Sequence, residues 1–234
     1  MGILVISCQK SQKEDKMKEN SDEEIFANRR EQMVISQIES RGIKNPLVLQ
    51  ALKKVPRHLF VTPDLQDVAY TDGPLPIGHE QTISQPYIVA LMTELLNLKG
   101  EEKILEIGSG SGYQAAVLSE ICSQVYSIEI VEPLALKADE TLKRLGYKNV
   151  EVKIGDGYQG WQEHAPYDGI ILTAAPDHIP QPLYDQLDMG ARMVLPVGNG
   201  NQELMVVTKT PEGMKKETVI PVRFVRMTGE AETK

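Results

Sequence analysis

Cysteine is scarce in this sequence, with Cys8 and Cys122 the only two in 234 residues. One lies in a polar tail and the other in a helical stretch, so neither a disulfide framework nor a zinc-type spacing is expected, and no metal site is anticipated. Apolar runs of about 18 residues, the length of a membrane-spanning helix, are missing as well. Positive charge is in deficit: 25 Lys and Arg against 33 Asp and Glu leave a net charge of −8, which argues against broad electrostatic capture of nucleic acid. Internal repeats are lacking, and no low-complexity tract stands out beyond a charged segment near the amino terminus. What remains has the length of one ordinary α/β domain, enough to bury a sizeable core.

The amino terminus offers two alternatives. Gly2 to Ser7 is apolar or small, and Val5-Ile6-Ser7-Cys8 fits the bacterial lipoprotein cleavage pattern. A secretory signal, however, needs a basic start and an apolar stretch of about 7 to 15 residues, and no Lys or Arg precedes this short one. A cytoplasmic location is therefore expected, with a lipid anchor at Cys8, and hence a lipid-anchored or periplasmic protein, as the alternative. Ser11 to Glu24 is polar and charged enough for disorder. The expected organisation is a tail over 1–24 and a single domain over 25–234, its helical and loop part at 25–99 and its core at 100–234.

Apolar residues at Ile25, Met33, Val34 and Ile38 predict an amphipathic helix from Ile25 to Arg41, closed by Gly42. A shorter helix follows over Pro46 to Lys54, then an irregular or extended segment over Val55 to Val61. Tyr70 to Gln85 is expected as a long polar loop, which a compact domain rarely keeps without a use. Pro86 opens a helix to about Leu98. After Gly100 the pattern becomes a regular βα alternation. Strands are expected at Lys103–Ile107, Gln124–Ile130, Val150–Ile154, Gly169–Thr173 and Arg192–Val197. Helices are expected at Tyr113–Cys122, Glu132–Leu145 and Gln181–Leu187. Leu204–Thr210 and Thr218–Val225, separated by Pro211-Glu212-Gly213, predict an antiparallel hairpin. The fold class is α/β, a doubly wound, mostly parallel, Rossmann-like sheet with an antiparallel carboxyl-terminal hairpin and an amino-terminal helical extension.

Ile104 to Tyr113 is the most informative segment, because an apolar strand runs into Gly108, Gly110 and Gly112 and then into a helix. Glycines let the backbone bend sharply and lie against a ligand. A dinucleotide turn would read G-x-G-x-x-G, whereas Glu106 and the three glycines here read E-x-G-x-G-x-G. That spacing resembles the first motif of class I methyltransferases that use S-adenosylmethionine. In an open α/β sheet, ligands sit beyond the carboxyl ends of the strands. Glu129 ends the second strand about 20 residues past the glycines, where a ribose-binding carboxylate belongs. Asp156, between Gly155 and Gly157, suits either an adenine amino group or an ordinary Asp-Gly turn. Small residues at Ala174 and Ala175 leave room for a reacting centre, and Asp168, ahead of its strand, reads as structural. Thr82-Ile83-Ser84-Gln85 precedes the Pro86 helix, and its hydroxyls suit either a carboxylate cradle or helix capping alone.

Together with Val55-Pro56-Arg57, the Gly112-Tyr113-Gln114-Ala115-Ala116 continuation, Gly155-Asp156-Gly157 and Tyr167-Asp168-Gly169-Ile170, the Thr82 to Pro86 loop resembles the protein-L-isoaspartate O-methyltransferase family from about Ile25 to Gly229. The charged tail before Ile25 departs from the usual bacterial pattern. The resemblance implies methyl transfer from S-adenosylmethionine to the free α-carboxyl of L-isoaspartyl residues in damaged proteins. It implies cofactor contacts from Glu106, Gly108, Ser109, Gly110, Gly112, Glu129, Ile130, Asp156 and Gly157, acceptor contacts from Thr82, Ile83, Ser84 and Gln85, Ser84 at the active site, and a monomer. The alternatives are a methyltransferase for a small molecule or RNA, and a non-catalytic module that binds S-adenosylmethionine. A carboxylate is already ionised at neutral pH, so its methylation needs no base. His79 is accordingly expected as a loop-surface residue, and Trp161, the only tryptophan, as packing.

Overall fold

The structure, a computed structural model, describes residues 22–233. Cys8 and most of the expected tail lie outside the described residues; of that tail, residues 22–24 are described and are already helical.

Helix α1 runs over residues 22–33 and continues as a π-helical stretch, Val34–Ile38, and a 3-10 turn, Glu39–Arg41. Gly42 ends it at φ 96°, a left-handed conformation that glycine adopts without a Cβ penalty. Helix α2, Pro46–Lys54, starts as a strong cap predicts: the Asn45 side chain accepts from the Leu47 N–H, and proline fills the first helical position. The segment expected to be irregular holds a 3-10 turn, Arg57–Phe60. Within the expected loop lies a small hairpin, β1 (Leu75–Gly78) and β2 (Gln81–Ile83), turning at His79 and Glu80 with φ of 52° and 59°. Strands of four and three residues carry too little alternation to stand out from a polar loop. Helix α3, Pro86–Leu95, begins at the predicted proline and stops earlier than expected.

The core is a seven-stranded sheet. Its strands are β3 (Lys103–Ile107), β4 (Gln124–Glu129), β5 (Val150–Ile154), β6 (Tyr167–Leu172), β7 (Leu187–Val197), β8 (Gln202–Thr210) and β9 (Gly213–Val222), in the order β5-β4-β3-β6-β7-β8-β9. Neighbours from β5 to β7 pair parallel, while β8 is antiparallel to both β7 and β9. Helices α4 (Tyr113–Ser119), α5 (Glu132–Leu145) and α6 (Gln181–Asp185) occupy the predicted crossovers, with α4 and α6 shorter than expected. Strand β7 begins earlier than expected, and β9 is displaced toward the amino terminus, ending at Val222 rather than Val225.

Burial on both faces follows the two-residue period of the strands. Ile104, Ile171 and Val194 enter one core with the amino-terminal helices and α4, whereas Leu105, Ile170 and Met193 enter the other with Leu183 of α6. Every residue of α4 is buried. Successive strands leave β3 in one direction and β6 in the other, so a crevice opens above the carboxyl ends of these two strands, at the switch point of the sheet.

Leu118, fully buried in α4, tests this packing. Leu118→Ala should lower unfolding free energy by about 2–5 kcal/mol in urea titration; a loss below about 1 kcal/mol would mean that α4 is not wedged as described.

Candidate active site

The crevice holds a cavity, a space of about 820 Å³ that is partly open to solvent. Its floor is the turn after β3. Gly108, at φ 95°, donates its N–H to Ile128 O at 2.8 Å, and a Cβ there would overlap the Thr173 hydroxyl, which itself bonds to Gly108 O at 2.6 Å. Gly110, at φ 52°, donates to Glu129 Oε2 at 2.8 Å, and Glu129 Oε1 accepts from the Val131 N–H at 2.9 Å. That buried carboxylate faces the cavity with each oxygen already accepting from a backbone N–H. Ser109, Ile130 and Gly157 also line the cavity. Gly112 does not: at φ 85° it forms the N-cap of α4 and packs against Leu142 and Ala138 of α5.

Glu106 also stands back from the cavity. It is fully buried; its Oε2 pairs with Ser127 Oγ, which lies 2.6 Å from Ser109 Oγ, and Ser109 reaches the cavity. Its other oxygen, Oε1, has no partner. Burial, with Glu129 nearby adding to it, pushes the Glu106 carboxyl up to about 8 against the hydrogen bond from Ser127, so the group is protonated at neutral pH. It reaches the cavity through two hydroxyls rather than directly.

Asp156 lines the cavity, yet both its oxygens hold backbone donors, Oδ1 from Tyr158 N at 2.9 Å and Oδ2 from Glu230 N at 2.7 Å. These bonds fix its carboxylate in the turn and tie down the carboxyl-terminal chain. Asp168 accepts from Lys103 N at the far end of the sheet. His79 is exposed at the hairpin tip, and Trp161 is buried against Tyr126.

A second space, a groove of about 1110 Å³ that is partly open to solvent, adjoins the first, and Thr82, Ser84, Thr173 and Val225 line both. Ser84 is half-buried there. Gln85, at the N-cap of α3, makes no side-chain cap bond, and the Ser84 hydroxyl makes no hydrogen bond among the described residues. Ile83 is buried and faces the cavity only. Gln85 lines the groove alone, and its amide donates to Asp72 Oδ1 at 2.7 Å, a carboxylate that Arg41 also holds at 2.6 Å.

Two contributors carried no spacing signal in the sequence. Thr173, at the end of β6, locks the glycine turn. The chain after β9 leaves the sheet and runs beside Ala175, whose N–H donates to Val225 O and whose carbonyl accepts from Met227 N, both at 2.8 Å. Val225 to Thr228 thereby wall the cavity.

A glycine turn after the central strand, an acid ending the next strand and this sheet order define a class I methyltransferase that uses S-adenosylmethionine. The family model for protein-L-isoaspartate(D-aspartate) O-methyltransferase (PCMT) matches residues 28–232, and the chain belongs to that family. A protein-L-isoaspartate O-methyltransferase of a Synechococcus species is 57% identical over 210 residues, 86% of this chain and 86% of that protein. One from Gloeobacter violaceus is 54% identical over 200 residues, 85% of this chain and 98% of that protein. A solved protein-L-isoaspartate O-methyltransferase superposes with a TM-score of 0.79 at 30% identity, covering 86% of this chain and 67% of that one. A structure described as a beta-aspartate methyltransferase (PCMT) from Plasmodium falciparum in complex with S-adenosyl-L-homocysteine gives a TM-score of 0.74 at 25% identity, covering 85% of this chain and 98% of that one.

The state of Glu106 has a measurable consequence. Its carboxyl ionises near 4.5 ordinarily and at about 8 in the fold, so the folded chain binds the extra proton between those values. The stability this contributes is fully present below pH 4.5 and is lost as pH rises to about 8. Relative to the unsubstituted protein, Glu106→Gln should therefore gain stability steadily from pH 5 to pH 8 in thermal unfolding; a pH-independent difference would show that Glu106 is ionised in the fold.

Proposed function

We propose that this chain transfers the methyl group of S-adenosylmethionine to the free α-carboxyl of L-isoaspartyl residues in damaged proteins and peptides, the step that initiates their repair. The observation that carries the acceptor side is the junction of the two spaces: the cavity that Glu129 lines meets a groove walled by Thr82, Gln85 and residues 221–225, and Ser84 lines both.

The chemistry of the cavity fits the donor. A ribose diol matches the Glu129 carboxylate, whose two oxygens keep lone pairs after accepting from Gly110 and Val131. Ile107, Ile128 and Ile130 supply apolar surface for an adenine, with Asp156 and Gly157 at its edge. Ser109 and Gln114 offer polar groups to the amino-acid end. When bound, S-adenosylmethionine supplies an electrophilic methyl on a sulfonium.

The acceptor carboxylate arrives ionised, so the protein has no proton to remove. Its residues have to strip water from that carboxylate and align one oxygen with the methyl, an orientation effect that can supply several kcal/mol. The Ser84 hydroxyl donates to the non-attacking oxygen and holds that line; to a charged acceptor such a bond is worth about 1.5–3 kcal/mol. Thr82, Ile83 and Gln85 shape the approach, with Gln85 itself fixed to Asp72.

One chain forms both cavity and groove, in keeping with a monomer as the acting unit. Among the described residues no helix is long and apolar enough to cross a membrane. A cytoplasmic enzyme belongs to this proposal; the alternative, lipidation at Cys8, is decided by the mass of the mature amino terminus.

Labelled methyl transfer to an isoaspartyl peptide and to its normal aspartyl counterpart tests the assignment. Only the isoaspartyl peptide should be labelled; equal labelling, or none while the cofactor binds, would refute it. Ser84→Ala should lower kcat roughly tenfold to a hundredfold, with S-adenosyl-L-homocysteine affinity unchanged by calorimetry. A loss of that affinity would place Ser84 in the donor site instead.

A further inference from the structure

The groove is neutral apart from one residue. Threonine, serine, proline and apolar side chains form most of its wall, and among the described residues Arg223 is the only charged one that lines it. Arg223 follows directly on β9, is exposed, and enters no ion pair among the described residues. The acid at the outer rim, Asp72, is already taken by Arg41 and by the Gln85 amide. Arg223 is absent from the cavity that holds Glu129, whereas its neighbour Arg226 faces that cavity. Arg223 therefore lines the groove and not the donor cavity.

We propose that Arg223 sets a charge preference in the acceptor, favouring isoaspartyl peptides that carry an acidic side chain beside the damaged residue over those that carry a basic one. The proposal rests on the isoaspartyl methyl transfer argued above and on the groove as the acceptor's seat. An extended peptide in this groove leaves the isoaspartyl carboxylate at Ser84 and lays its neighbours along residues 221–225. An acidic neighbour gains a partner that nothing else engages, and a basic neighbour meets like charge. The remainder of the protein pulls the other way, because a net charge of −8 repels acidic peptides at long range. Without Arg223 the order of preference should reverse.

A half-solvated ion pair of this kind corresponds to about a threefold to fivefold effect, larger at low ionic strength. The test uses three isoaspartyl peptides identical except for Glu, Gln or Lys next to the isoaspartyl residue, with kcat/KM measured at low and high salt. The full-length protein should methylate the Glu peptide about threefold to fivefold more efficiently than the Lys peptide at low salt, with the gap narrowing at high salt. Arg223→Gln should abolish or invert that order, and Arg223→Glu should favour the Lys peptide outright, both with unchanged S-adenosyl-L-homocysteine affinity. Equal rates on the Glu and Lys peptides in the unsubstituted protein, or a preference that survives Arg223→Gln, would overturn the proposal. Failure to methylate even the Gln peptide would instead overturn the isoaspartyl assignment beneath it.

Discussion

The turn after β3 is bound to the strand beside it through the Glu129 carboxylate, whose two oxygens take the N–H groups of Gly110 and Val131. For that to happen, Gly110 and its neighbour Gly108 must hold positive φ, and β3 and β4 must pair in the register that sets Ile107 beside Ile128. Ser127 and Glu129 lie two residues apart on β4 and therefore share a face. The same register thus delivers Ser127 to the Glu106 carboxyl and Glu129 to the turn. A one-residue slip would send both side chains to the opposite core. The floor of the donor cavity follows from this pairing, while the pairing of β3 with β6, which sets Ile107 beside Leu172, brings Thr173 onto Gly108.

The amino-terminal extension is joined to that core by charge buried without a counter-ion. Arg57 is fully buried, bonds to Ala69 O at 2.7 Å, and sits 4.8 Å above the ring of Tyr113, the first residue of α4 and part of the cavity wall. Desolvation lowers its pKa to about 10, so it stays cationic, stabilised by a ring face and a carbonyl. Beside it, burial and Arg30 bring His58 down to about 4. His58 is neutral, bonds to the Tyr70 hydroxyl at 2.8 Å and stacks on Phe26 of α1. These contacts hold the segment from which the β1–β2 hairpin and Ser84 project. The acceptor side is thus supported by the extension, and the donor side by the sheet.

Much of this was legible from pattern alone. Lys103–Ile107, Val150–Ile154, Glu132–Leu145 and Pro46–Lys54 have the bounds their periodicity and caps predict, because each has a full run of alternating or helical apolar residues with a proline or glycine at an edge. The shortness of the β1–β2 hairpin hides it, and the segment after Val222 resembles strand because Phe224 and Val225 have strand-type side chains. Their apolar surface is used instead along the groove. Glu106 illustrates a subtler limit. Its motif associates it with the cofactor, but burial behind Ser127 and Ser109, with the protonation that burial imposes, arises only from the packing of β3 against β4.

By itself the sequence determined the parallel α/β sheet, the glycine turn, the acid at the end of β4 and the loop carrying Ser84, since these are local patterns of spacing and side-chain type. Tertiary structure decided which of those residues meet. It withdrew Gly112 and Glu106 from the cavity wall and turned both oxygens of Asp156 toward backbone donors. It also brought Thr173 and residues 225–228, from distant parts of the chain, against the turn and around the cavity. The physical reason is that hydrogen-bond saturation and charge burial depend on neighbours in space, and no spacing along the chain encodes how Ser84 comes to stand between a cavity and a groove.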